Sequence, residues 1–395
     1  MENSFVHLHA HTEYSMLDGA AKIEPFLNRI LELEQPGAAI TDHGNLYGAL
    51  EFYNSAIKKK LKPIIGYEAY VISDSRFERP DRKNNKRYHL TLLAENTVGY
   101  WNLVEMASKA FTEGYYYKPR IDYELLKEYS EGIIALSGCL GGEIAQLLAP
   151  DGSVEEGNQG QTRSFDDALK KAEFYQSIFG ENNFFIELHK HGIKQQEDIL
   201  PDLLKISEKL SAPLVATNDS HYVHSDDASA HDALLCVQTN ATLDDENRFK
   251  FDGSGFYIKS SEEMRDLFPN EKFPDACNNT LKILDRVEYE FEKDTYYLPD
   301  FPIDDSSKNV DEYLKEKVYQ GAESLYGELS SELEERINYE LEVIESMGFA
   351  SYFLIVGDLI NYAKSNGIRT GAGRGSAAGS IVSYCLGITG IEPLK

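Results

Sequence analysis

Histidine occupies every second position in His7-Leu8-His9-Ala10-His11-Thr12, and the run leads into Asp18-Gly19 and later Thr41-Asp42-His43. Side chains alternate faces along a strand, so residues two apart project the same way. His9 and His11 can therefore aim two imidazoles at one cation, with His7 on the same face. Neutral imidazole is the commonest protein ligand for zinc-like ions, and carboxylates complete such sites. The plain alternative is a histidine-rich surface strand or an expression tag. A tag would be a homopolymer, whereas this run alternates with Leu and Ala and continues towards a helix start.

A metal nest requires a fold that gathers distant residues. Short β-like runs recur at 5–8, 37–40, 63–72, 89–94, 132–137, 183–188 and 213–217, separated by helix-like stretches at 22–33, 47–59, 98–111, 168–179 and 198–210. Alternating β and α units predict a parallel α/β architecture of the barrel type. His43, Cys139 and Asp219 each fall just after such a run, where a barrel collects its chemistry. Glu68, His89 and the alternating pair Asp219 and His221 add further donors. With His9, His11, Asp18, His43 and Cys139 they make nine N, O and S donors, suited to two or three ions that share carboxylates.

The 395 residues exceed one typical domain. Lys and Arg number 39 against 66 Asp and Glu, a net charge of −27, which argues against a protein that coats polyanions generally. It leaves DNA open, because divalent ions and local basic segments reverse the sign at a site. Cys139, Cys236, Cys277 and Cys385 form no C-x-x-C pair. That fits a reducing cytoplasm. The N-terminus is acidic and polar, unlike a signal peptide. No apolar run approaches the ~18 residues of a membrane span, so no membrane partner is expected.

Residues 151–164 read as an exposed insertion, and the composition shifts beyond about 270. We expect one domain over 1–275, then a linker and partial second domain over 276–395. The latter carries helix-like stretches at 330–347 and 352–365 before Gly371-Ala372-Gly373-Arg374-Gly375-Ser376. That glycine-rich stretch suits a phosphate cradle, but no Gly-Lys-Ser/Thr follows, which excludes a Walker A loop.

In their order along some 270 residues, the donor segments resemble the polymerase-and-histidinol-phosphatase (PHP) domain. The resemblance implies a distorted β/α barrel with a trinuclear metal site. Leu8-His9-Ala10-His11-Thr12, Thr41-Asp42-His43-Gly44-Asn45-Leu46-Tyr47-Gly48, Gly114-Tyr115-Tyr116-Tyr117-Lys118-Pro119-Arg120 and Met347-Gly348-Phe349-Ala350-Ser351-Tyr352 are similar to the N-terminal region of bacterial DNA polymerase III alpha subunits. By that resemblance His9, His11, Glu68 and Asp219 hold one ion. Glu68 bridges to a second held by His89 and Cys139, and Asp18, His43 and His221 hold the third. Glu68, Asp219 and His221 are the implied catalytic residues. Zinc or manganese is implied, with 3′→5′ exonuclease chemistry on a primer end. The glycine-rich loop resembles a polymerase palm loop, making Arg374, Gly375 and Ser376 candidate dNTP ligands within a partial α+β palm. Magnesium, primer-template DNA, a sliding clamp and other replisome subunits belong to the full-length protein. The implied N-terminal fragment ends before the palm aspartates and should not polymerise DNA alone. A histidinol-phosphatase-like phosphoesterase and a metal-stabilised structural module are the rival readings.

Other features keep two readings. Asp42 either orients a ligand from behind or shapes a turn. Arg76, Arg79, Arg82, Lys83, Lys86 and Arg87, with Tyr117, Lys118 and Arg120, either track a DNA backbone or form a solvated loop and an interdomain contact. The second H-x-H, His189 and His191, reads as an ordinary rim pair.

Overall fold

The apolar runs become strands that are buried along nearly their whole length. In the computed structural model, which describes all residues except 1–2, 17, 82–84, 150–161, 252, 292–296, 304–308, 374 and 395, these are β1 (Gly37–Ile40), β2 (Lys62–Ile72), β3 (Tyr88–Ala94), β4 (Arg120–Asp122), β5 (Ile133–Leu136), β6 (Phe184–Leu188) and β7 (Leu214–Ala216). They pair in the order β1-β2-β3-β5-β6-β7, with β4 added beside β2. Strands buried on both faces read as continuous apolar runs rather than alternating ones. Helices cover the outside: α1 (Ile23–Glu32), α2 (Ala49–Lys58), α3 (Thr97–Thr112), α4 (Tyr123–Glu128), α5 (Glu143–Leu148), α6 (Phe165–Phe179), α7 (Lys194–Leu210), α8 (Ala228–Thr239), α9 (Ser261–Leu267) and α10 (Asn278–Arg286). In α1 the buried residues Ile23, Phe26, Leu27 and Ile30 make the i, i+3, i+4, i+7 stripe of a helix facing a core.

Residues 7–11 link the two ends of this sheet. His7 bridges Ala38 beside β1, and Ala10 bridges Ser220 just after β7. The Ala39 and Thr41 amides donate to the His7 and Ala10 carbonyls, and the His11 amide donates to the Ser220 carbonyl. The sheet is thereby curled round on itself. Its interior takes Val6, Leu8, Ala39, Ile64, Leu93, Ile134, Phe185 and Val215, with Ile283 and Leu284 of α10 against them.

The all-parallel expectation is corrected at β3, which runs antiparallel to both β2 and β5. The β2–β3 connection carries no helix among its described residues, and strands joined without a helical crossover pair antiparallel. The reversal has a chemical consequence. The start of β3, where His89 sits, lies at the same rim as the ends of the parallel strands.

The first compact unit runs to Glu290, past the expected boundary at 275, because α10 packs on β7 and within the barrel core. The second unit, 291–395, contains α11 (Val310–Tyr326), α12 (Ser331–Ser346), α13 (Ala350–Ser365), a 3-10 turn (Gly375–Gly379) and α14 (Ile381–Cys385). Among its described residues there is no strand of the kind an α+β palm would carry. Its own core joins Leu314, Val318, Leu333, Ile337, Leu354 and Ile381. The expected insertion lies almost wholly outside the described residues. No single helix among those described is long and apolar enough to cross a membrane.

Candidate metal centre

Strand periodicity builds the site in layers. Above the apolar layer of Leu93, Phe185 and Val215, the residues two positions on towards the rim are Thr91, Glu187 and Thr217. Two further on come His89, His189 and Asp219. Period two thus carries each strand from apolar core to polar rim. The histidine run departs from strict alternation at a bend at His9. Val6 and Leu8 fill the interior while His7 turns away, its Nε2 2.9 Å from the Lys259 carbonyl. Past the bend, both His9 and His11 enter the cluster.

All nine expected donors come together. Glu68 lies at the centre, with Oε1 3.0 Å from His89 Nδ1, 3.4 Å from His9 Nε2 and 3.4 Å from Cys139 Sγ. Its Oε2 is 2.6 Å from His43 Nδ1. Asp219 Oδ1 is 3.1 Å from His11 Nε2, 3.5 Å from His9 Nε2 and 3.6 Å from His221 Nδ1. Asp18 Oδ2 is 3.2 Å from His43 Nε2. Three trios each offer atoms within 4.8 Å of one another: His9 with His11 and Asp219; His11 with His43 and His221; His43 with Glu68 and His89.

These donors fit a cation chemically. His221 Nε2 and Asp18 Oδ1 are buried without a hydrogen-bond partner, while the buried Nε2 atoms of His9 and His11 and the oxygens Glu68 Oε2 and Asp219 Oδ1 meet only one another and His43, at ion-pair distances. A buried unpaired polar atom costs about 1–3 kcal/mol, so a cluster whose ring nitrogens and carboxylate oxygens have only one another is stabilised by a cation. Burial opposes the charged form of Glu68 and Asp219, yet the surrounding histidines hold both carboxyls well below their usual range. Burial, with neighbouring His11, brings His221 down to about 4, so it presents a neutral ring. Burial and Glu68 push the Cys139 thiol up to about 11. Thiolate, the ligand form, therefore needs a cation beside it.

The ligands are held from behind. Glu187, buried inside β6, accepts from His9 Nδ1 at 2.7 Å and also binds Thr217 Oγ1, His189 Nε2 and the Gly138 amide. A carboxylate on the far nitrogen fixes ring orientation and leaves Nε2 aimed inward. Asp42 does the same at one remove: it accepts from Ser15 Oγ at 2.7 Å, and Ser15 Oγ lies 2.8 Å from His11 Nδ1. It also accepts from the Thr12 amide and hydroxyl, so it both shapes the turn and orients a ligand. Gly138, at φ +90°, turns the chain so that Cys139 approaches His89. A Cβ there would lie 2.6 Å from the His89 carbonyl oxygen.

Several expectations need correction. His189 is no ordinary solvated rim residue: it is buried at the level of His89 and Asp219, and it forms a fourth close trio with His9 and Glu187. His191 stacks on Phe256 at 4.0 Å and binds the Asn218 carbonyl. Arg120 cannot track DNA from its position: it is 1% exposed and bound to the Gly114, Arg76 and Glu78 carbonyls and to Asn85. Arg76 is likewise engaged by Asp122, Glu113 and Glu124. Arg82 and Lys83 lie outside the described residues. Tyr117 is exposed, and Lys118 faces the cleft above the cluster, beside Arg87. Glu187 is the functional residue that motif reading missed. Its signal was an acid enclosed in the apolar run Phe184-Phe185-Ile186-Glu187-Leu188.

In the second unit Gly375 and Ser376 are exposed on the 3-10 turn, and Arg374 is outside the described residues. Glu340 closes the start of the short helix that follows. Its carboxylate accepts from Ser380 Oγ and the Ile381 and Val382 amides.

Comparison with known proteins follows the same division. Residues 7–191 match the PHP domain and residues 312–395 the bacterial DNA polymerase III alpha NTPase domain. The DNA polymerase III subunit alpha of Borreliella burgdorferi is 44% identical over 393 residues, covering 99% of this chain and 33% of the relative. The Mycobacterium tuberculosis subunit is 46% identical over 409 residues, again 99% and 33%. The Thermus aquaticus subunit is 40% identical over 453 residues, 99% and 36%. The chain spans about a third of the length of these relatives.

Proposed function

This chain belongs to the bacterial DNA polymerase III alpha-subunit family, and on that premise we propose that its PHP unit is a metal-dependent 3′→5′ exonuclease. The single observation that carries the reading is the convergence of buried imidazole and carboxylate ligand atoms on one another at one end of the barrel, beneath an open cleft. His9, His11, Glu68 and Asp219 would hold one ion, Glu68, His89 and Cys139 a second, and Asp18, His43 and His221 a third. Zinc or manganese suits this mix of imidazole, carboxylate and one thiol. Divalent cations there supply Lewis-acid stabilisation of phosphoryl oxygens and bring the pKa of water towards ~7. The chain's own residues do the rest. Glu68 and Asp219 carry fixed negative charge to the centre, and His221 presents an unprotonated ring beside them. Glu187 and Ser15 keep His9 and His11 in a single orientation. Hydrolysis adds a water oxygen to the terminal phosphorus and breaks its bond to O3′ of the preceding nucleotide. The departing O3′ takes the proton, and a nucleoside 5′-monophosphate is released.

For the longer protein we propose DNA-directed DNA polymerisation in cytoplasmic replication. It would use primer-template DNA, dNTPs, magnesium, a sliding clamp and other replisome subunits. Gly375 and Ser376, with Arg374, would contact the triphosphate. The match of residues 312–395 and the exposure of the glycine-rich turn support this assignment.

A 3′-labelled primer incubated with manganese or zinc, beside histidinol phosphate, tests the hydrolytic reading. Primer shortening that vanishes in His9→Ala supports it. Selective cleavage of histidinol phosphate favours the phosphatase reading. Inactivity on both with metal fully bound favours a structural module.

A further inference from the structure

The cleft over the cluster has two chemically different walls. At the end marked by His89 and Cys139, Lys118 and Arg87 line it, and Lys118 Nζ sits 5.1 Å over the Tyr70 ring. Tyr70 in turn lies 5.3 Å from His89 and 6.0 Å from His43. At the other end Phe251 packs edge-on against His221 at 4.8 Å, and Phe249 lies edge-on to Phe251 at 5.9 Å. Phe249 is 44% exposed and lines the cleft together with Phe251. The cleft volume of about 470 Å³ is within the range of small-ligand sites.

We propose that this cleft takes the 3′-terminal nucleotide of a single DNA strand in one orientation, with its base on Phe249 and the next phosphate of the chain at Lys118. Resting on the hydrolytic reading of the same cluster, it adds the determinants of substrate class. An aromatic face stacks any base without reading sequence, and a lysine neutralises backbone charge as a point cation. The terminal phosphodiester then spans the His43 to His221 stretch between the walls, 5.9 Å from ring to ring. A small phosphomonoester could meet only the metal ligands. A single-stranded end meets both walls, whereas a paired end must first unstack its terminal base.

The test is equilibrium binding to the manganese-loaded 395-residue chain. The probe is a single-stranded oligonucleotide with 2-aminopurine at its 3′ end and a cleavage-resistant phosphorothioate as its last linkage. Quenching on binding reports stacking. Phe249→Ala is expected to weaken binding about tenfold and abolish quenching, and Phe249→Tyr to restore both. Lys118→Ala should weaken binding about threefold while lowering the slope of log K against log salt by about 0.7. Metal content measured on each variant shows whether the cluster is intact. Unchanged affinity and quenching in Phe249→Ala, or equal affinity for an oligonucleotide with a 3′-terminal abasic residue, would overturn the proposal. Hydrolysis of bis(p-nitrophenyl) phosphate by the wild-type chain keeps the two readings apart. If hydrolysis is absent while Phe249-dependent binding persists, the exonuclease reading fails and the nucleotide cleft stands.

Discussion

The rim of the barrel and the glycine-rich turn of the second unit both present groups suited to phosphate chemistry, but they satisfy those groups in opposite ways. At the rim, ligand atoms are buried, aimed together and met only by one another, while their far sides are fixed by Glu187, Ser15 and Asp42. In the second unit Gly371, Gly373, Gly375 and Gly379 of the turn are exposed, and the amides at the start of α14 are already bound by Glu340. The first arrangement stores a demand for a ligand inside the fold. The second meets its own hydrogen-bonding needs and keeps its turn open to solvent. A site whose buried ligand atoms crowd together with few partners outside the cluster is the one that ligand removal should destabilise.

The largest expected effect separates the units at once. Chelation, or Asp219→Ala, should cut hydrolysis of a labelled primer by about a hundredfold or more and remove bound metal, while the second unit stays folded. Elemental analysis with hydrogen exchange over 291–395 would check both halves. Next, Glu187→Gln should lower metal affinity by about 10- to 100-fold, because a neutral amide accepts less strongly from His9 and leaves its ring less oriented. Competition with a metal-sensitive dye would measure this. Glu340→Ala tests the other side. Loss of the bonds to Ser380, Ile381, Val382 and Arg336 should cost the second unit about 2 kcal/mol with metal content unchanged. Smallest for each pH unit is a titration effect in the barrel. Burial lowers Lys259 to about 8 from its ordinary 10.5. Between those values the unfolded chain binds the extra proton, so stability should rise with pH, by at most about 1.4 kcal/mol per unit. Denaturant midpoints of wild type and Lys259→Met, compared from pH 8 to 10.5, would show the slope disappear.

Much of this comparison was legible in the residues. The donors that follow apolar runs, such as His43 after Ala38-Ala39-Ile40, announce a rim, because strand ends in a barrel converge. Less was legible where pairing decides the outcome. His89 opens its strand instead of ending it, and only the antiparallel placement of β3 brings it to the same rim. His7 looked equivalent to His9 until the bend at His9 changed faces. Arg120 looked like a free cation in an aromatic, basic stretch, but three carbonyls and an amide oxygen claim it. Glu187 was visible as an acid enclosed in an apolar strand, yet its partner His9 is far away in sequence. Long-range partnership is what a single sequence does not display.

The most direct measurement is anomalous diffraction at the manganese and zinc edges from crystals grown with each metal. Two or more peaks among Glu68, Asp219, His11 and His43 are expected, with none on the glycine-rich turn. A fully ordered barrel that shows no anomalous peak at saturating metal would contradict the metal centre itself.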